Sequence, residues 1–180
     1  MRTKDTLKNV LVAEAESVYR VTENLFSLIE ARDLAWIPPT GSNWMSVSQL
    51  LLHCASFGCG KAVRGFVRGE WDDPPDPENE ITRADQHIPP VSDLQGVESV
   101  EEARALLSAD HKLTIQCLSE VDEDRLLSET ITAPWGGPPL ILFRHLLMMI
   151  AHLAQHKGQL FYYLKLMGKD VGSRDLWGWS

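Results

Sequence analysis

The segment from Leu140 to Gly168 constrains this chain most. Its apolar residues recur at helical spacing. Pro138 and Pro139 suit a first turn and Gly168 suits an end. The spacing predicts a helix of about 29 residues, on the order of 43 Å long at 1.5 Å per residue. Its most apolar part, Leu140 to Leu153, is interrupted by Arg144, His145 and His152. That stretch is too short and too polar to span a bilayer, so it reads as a buried core helix with no membrane partner.

Three further amphipathic segments precede it. Leu7, Leu11, Val18, Val21, Leu25 and Leu28 alternate spacings of three and four, predicting a first helix from about Asp5 to Ala31. Glu14 fills the one gap in that stripe, so a carboxylate is expected in the middle of an apolar face. Ser46-Val-Ser-Gln49 has the capping-box pattern and opens a second helix, with Leu50, Leu51, Cys54, Phe57 and Ala62 on its inner face and His53 at the edge. Ser99-Val-Glu-Glu102 is a second box. It opens a third helix through Ala103, Leu106, Leu107, Leu113, Cys117, Leu118 and Val121, with Asp110 in the stripe. Between the second and third helices the acid- and proline-rich run EWDDPPDPENE and the later IPPVSD exclude regular helix. Residues 70–98 thus form a crossover longer than ordinary connections. After Glu129, TITAPWGGPP is β-prone and then turn-like. The expected fold is all-α: a four-helix bundle with a long crossover, ending in an aromatic tail over 169–180 that carries Trp177 and Trp179.

The bulk chemistry removes several functions. With 44% hydrophobic and 23% charged residues, the 180-residue chain reads as one ordinary globular domain. A net charge of −8 and no cluster of Lys and Arg argue against a nucleic-acid partner. Cys54, Cys59 and Cys117 are odd in number and form no CxxC pair, which suits unpaired thiols in a reducing cytoplasm. The first ten residues open directly into an amphipathic pattern, with no apolar signal core.

Six histidines remain to be placed. His152 and His156, four apart in AHLAQHKGQL, fall on one helix face a turn apart, where both rings can reach one metal ion. His145 shares that face but lies roughly 10 Å along the axis from His152, too far for the same ion, and reads as a core or supporting group. His87 falls in the crossover and His111 on the outer side of the third helix. His53 belongs to a helix that should pack beside the fourth. With the pair it gives three imidazoles and an open position, the pattern of catalytic metal sites. Spacing alone leaves a second reading standing, three hydrogen-bonded core histidines and no metal.

His53 in SVSQLLLHCASF, after Trp44, together with His152, His156 and the continuation KGQLFYYLKLMG, resembles the DinB/YfiT-like superfamily over most of the chain. The resemblance implies a four-helix bundle with a long crossover and a metal held by His53, His152 and His156. It also implies a metal-dependent enzyme acting on a small molecule, either a hydrolase or a transferase that uses a low-molecular-weight thiol such as bacillithiol, mycothiol or glutathione. The alternative is a non-catalytic metal-binding or stress-related protein that forms a homodimer through its bundle.

The residues bear on the chemistry directly. Nitrogen ligands with an open position lean toward zinc or nickel. Such an ion lowers the pKa of bound water or thiol. HLAQH has Leu153 where a metalloprotease helix carries its glutamate, so that base is missing. Glu14 is the candidate replacement catalytic carboxylate, with Asp110 behind it. Lys61, Arg64 and Arg144 are cations available to an acidic cosubstrate.

Overall fold

The computed structural model describes residues 6–56, 59–72 and 90–179. The protein is an all-α bundle. Its long rods are α1 (Leu7–Phe26), α4 (Val100–Glu120) and α6 (Leu142–Leu166), with a fourth position shared by α2 (Val47–Ser56) and α3 (Gly60–Arg68). Two short helices, α5 (Glu123–Ser128) and α7 (Ser173–Trp177), complete the helical set among the described residues. β1 (Thr130–Ile131) and β2 (Leu140–Ile141) form a two-residue antiparallel ladder ahead of α6.

α4 packs against α1, α2 and α3, while α6 packs against α1, α2, α3 and α5. The core between them is aliphatic, with Leu25, Leu50, Leu51, Leu107, Leu142, Leu146, Leu160 and Leu164 fully enclosed. α1 starts at Thr6, whose hydroxyl accepts from Asn9 N–H, and the Glu123 carboxylate on α5 accepts from the Leu7 and Lys8 amides at 2.7 and 3.2 Å. Those otherwise unpaired first-turn amides are thereby satisfied from across the bundle. The buried stripe of α1 runs through Leu11, Ala15, Val18, Tyr19, Val21, Thr22, Leu25 and Phe26. Glu14 is exposed and Leu28 lies at the surface, so the expected stripe is rotated: Ala15 and Tyr19 hold the place assigned to the carboxylate. α1 also ends earlier than Ala31, at Phe26, and a separate 3₁₀ turn follows at Ala31–Asp33.

Both capping boxes are present, one with a changed partner. Gln49 N–H donates to Ser46 Oγ at 3.3 Å, and Ser46 N–H donates to Gln49 Oε1 at 2.8 Å. Glu102 N–H donates to Ser99 Oγ at 3.0 Å, but the Glu102 carboxylate accepts from Glu98 N–H rather than Ser99. The second helix is not continuous through Ala62, because Cys59 leaves helical geometry and α3 begins afresh at Gly60. Phe57, expected on its inner face, lies outside the described residues. α3 begins where α4 comes close: a Cβ at Gly60 would stand 2.9 Å from the Asp110 carbonyl oxygen, and Gly60 N–H donates to Asp110 Oδ1 at 3.0 Å. Only glycine allows that approach.

α6 starts at Leu142, later than its prolines suggested. β2 takes Leu140 and Ile141 first, and Leu142 N–H donates to the Glu129 carbonyl. The far end follows expectation, with Gly168 at φ +78° beyond the last turn. The end of the crossover is tied to α2 by Gln49, whose amide donates to the Val91 and Leu94 carbonyls at 2.8 Å each, and by Val97 N–H to Ser48 O. Among the described residues no helix is long and apolar enough to cross a membrane.

Candidate metal centre

α2 and α6 pack against each other, and this brings His53 to His152 and His156. On α6 the buried positions Leu146, Ile150, Leu153 and Leu160 anchor the helix, which leaves the two imidazoles half-buried at the edge of its inner face. His152 Nε2 stands 3.4 Å from His53 Nε2 and 3.1 Å from His156 Nε2. A ligand atom from each of the three rings lies within 4.8 Å of the others. The rings meet edge to face, at interplanar angles of 69°, 69° and 84°.

These distances suit a shared cation. Zinc–imidazole bonds of about 2.0–2.1 Å at tetrahedral angles place ligand nitrogens roughly 3.3 Å apart. Each imidazole nitrogen offers one in-plane hydrogen or one lone pair. His152 Nε2, facing two other Nε2 atoms, cannot form a straight hydrogen bond to both, whereas a central cation accepts all three lone pairs. The electrostatics agree. Burial, and then the neighbouring His156 and His152 rings, holds His53 down at about 4, and burial also lowers His156. Neutral imidazole, the ligating form, is favoured.

The other candidates go elsewhere. Glu14 is not among the converging groups; it is exposed on α1, with Lys157 of α6 as a charged neighbour. Lys157 itself is buried, donates from Nζ to the Leu176 carbonyl at 3.0 Å and lies 5.7 Å from the Trp177 ring. Burial lowers its pKa. Asp110 is buried in a separate cluster, where Oδ2 accepts from Tyr19 O–H at 2.5 Å and Oδ1 from Gly60 N–H. His145 is a core group, as expected: it lies against the Ile131 carbonyl at 2.9 Å and stacks on Phe66 with centroids 4.2 Å apart. His111 is not simply exposed, because its ring stacks on Tyr19 at 4.5 Å and reaches Glu23 at 3.2 Å. Lys61 and Arg64 both pair with Asp72, and Arg144 is exposed. His87 lies outside the described residues.

Sequence reasoning missed the groups behind His156. Gln159 Oε1 lies 3.1 Å from His156 Nδ1, Gln159 Nε2 donates to Tyr163 Oη at 3.1 Å, and Tyr163 O–H donates to the Met45 carbonyl at 3.0 Å. The signal was present, since 156, 159 and 163 are separated by three and four and therefore share a helix face. An aromatic cluster was missed as well. Phe66, Trp71 and Trp135 meet edge to face near His145, and Trp71 occupies the space a Cβ at Gly65 would need.

An all-α bundle whose α2 and α6 gather three imidazoles belongs to a recognisable class, the helical bundles with a histidine triad between two rods. The chain belongs to the DinB superfamily, which it matches over residues 14–160. No curated protein and no solved structure matches it.

Proposed function

We propose that the protein is a metal-dependent enzyme that acts on a small molecule, as a thiol-dependent transferase or a hydrolase, with His53, His152 and His156 as ligands. The convergence of a ligand nitrogen from each of the three rings within 4.8 Å carries this reading. Three neutral ligands leave a zinc or nickel ion its full charge and an open position, and so the power to activate a water or a thiol. The chain's own part is to favour neutral His53 and His156, through burial and neighbouring rings, and to keep α2 and α6 in register. Glu14 is the carboxylate proposed as base, and its exposure leaves it accessible to a substrate at the surface.

The test has two stages. Zinc and nickel titrations of metal-stripped protein should give one equivalent bound, lost in His53→Ala. Turnover is then assayed with bacillithiol, mycothiol and glutathione against electrophiles, and with activated esters. Stoichiometric metal with no turnover would favour the non-catalytic reading, and absence of metal binding would sink both. That second reading, a bundle that dimerises, has its own support in the outward face of α6, where Leu147, Met148, Tyr162 and Leu166 are exposed.

A further inference from the structure

The hydrogen bonds behind His156 have a direction that can be worked out from one end. The Met45 carbonyl oxygen can only accept, so the Tyr163 hydroxyl must donate to it at 3.0 Å. Having spent its one hydrogen there, the Tyr163 oxygen accepts, and its partner at 3.1 Å is the Gln159 amide nitrogen. The amide orientation is thereby fixed, and Gln159 Oε1 faces His156 Nδ1 at 3.1 Å. A carbonyl oxygen needs a hydrogen from that nitrogen. The ring hydrogen of His156 therefore sits on Nδ1, and Nε2, which faces His152 Nε2 at 3.1 Å, keeps its lone pair.

We infer that Gln159 and Tyr163 are positioning residues that select the metal-ligating tautomer of His156, with the Met45 backbone carbonyl setting the direction of the relay. Met45 lies just before α2, the helix that carries His53, so the relay also joins the two elements whose approach makes the triad. Burial favours the protonated phenol of Tyr163, the form the relay uses. Trp36 and Trp44 meet the Tyr163 ring edge to face at 5.2 and 6.4 Å, which holds the ring that presents the hydroxyl. The inference rests on the metal reading of the three histidines.

Two measurements test it separately. In metal-free protein labelled with ¹⁵N-histidine, long-range ¹H–¹⁵N correlation reports which ring nitrogen carries hydrogen. His156 should show the Nδ1–H form in the wild type and a mixture in Gln159→Leu and Tyr163→Phe. Zinc affinity is read by chelator competition. Gln159→Leu should weaken it about 10–100-fold, the usual effect of removing a group that orients a ligand. Gln159→Glu, which still accepts from Nδ1, should stay within about threefold of wild type on the same grounds. An Nε2–H His156 in the wild type, or unchanged zinc affinity in Gln159→Leu, overturns the inference. If Gln159→Leu does not fold, Tyr163→Phe decides it through the same two readouts, with a mixed His156 tautomer and weakened zinc binding expected and wild-type behaviour in both overturning the inference. A wild type that binds neither zinc nor nickel would defeat the metal reading, while the tautomer measurement would still report on the relay.

Discussion

Replacing Asp110 with alanine should be among the most damaging single changes in the bundle, and the structure gives the reason and the size. Asp110 is 6% exposed and receives two donors: Tyr19 O–H at 2.5 Å and Gly60 N–H at 3.0 Å. The second is the opening amide of α3, so a carboxylate from α4 caps a helix in another part of the chain. Each buried donor left unsatisfied costs about 1–3 kcal/mol. Tyr19 retains a fallback in Thr114 Oγ at 2.8 Å, whereas the Gly60 amide loses the acceptor it uses. The expected loss is about 2–4 kcal/mol, from the stranded Gly60 amide and the lost side-chain packing. For a chain of this size that corresponds to a fall in Tm of roughly 10 °C, at about 2–4 °C per kcal/mol. Burial raises the Asp110 pKa, so a neutral group of the same shape is tolerated better than deletion. Asp110→Asn keeps one oxygen for the Gly60 amide and can donate to Tyr19, and should lose only about 1 kcal/mol. Equilibrium urea unfolding of wild type, Asp110→Ala, Asp110→Asn, Tyr19→Phe and the Tyr19→Phe/Asp110→Ala double variant measures all of this, with a coupling of about 1–2 kcal/mol expected between residues 19 and 110. Asp110→Ala within 1 kcal/mol of wild type, or Asp110→Asn as harmful as Asp110→Ala, would refute the capping argument.

Other perturbations probe the triad and its helix. His53 is held at about 4 against an ordinary 6.5, so between those values the unfolded chain binds more protons and stability rises with pH. Metal-free protein should therefore lose about 1–2 kcal/mol from this group as pH falls from 6.5 to 4, a figure reduced from the full shift because the ring is partly open to solvent. His53→Ala should flatten that part of a stability-against-pH profile, and an unchanged profile would count against the buried neutral ring. Zinc at a hundredfold excess over its Kd should stabilise the wild type by about 2.7 kcal/mol, measured as a rise in Tm and absent in His152→Ala. Gly158 sits within α6, and a Cβ there would meet nothing within 4 Å among the described residues. Gly158→Ala should therefore raise stability by about 0.5–1 kcal/mol in thermal melts, and a drop would reveal crowding on that face.

What could be read beforehand follows the range of the forces involved. Ser46 with Gln49 and Ser99 with Glu102 are local motifs, and both helix starts fall where the sequence places them. The spacing of His152 and His156 is likewise local, and pairing them with His53 needed only the expectation that α2 and α6 are neighbours. Glu14 shows the limit of periodicity. Leu11, Val18 and Leu25 are compatible with two stripes some 100° apart, and the choice of Ala15 and Tyr19 over Glu14 is made by the fit against α4 and α6. The break at Cys59–Gly60 depends on Asp110, fifty residues away, and no window of sequence contains both. The same holds for the prolines before α6: the pairing of Leu140 with Ile131 removes two residues from a helix that local propensity would start sooner.

The break between α2 and α3 also has an electrostatic consequence. In an unbroken second rod His53 would stand in mid-helix, where successive peptide dipoles cancel. With the rod broken by Cys59, His53 lies in the last turn described for α2. A helix ends in a partial negative charge of about half an electron spread over its final carbonyls, and a cation within a turn of that end is stabilised by roughly 0.3–1 kcal/mol. The ring that α2 contributes to the triad therefore stands in a field favourable to positive charge, in a cluster whose three imidazoles, when neutral, bring no negative charge of their own.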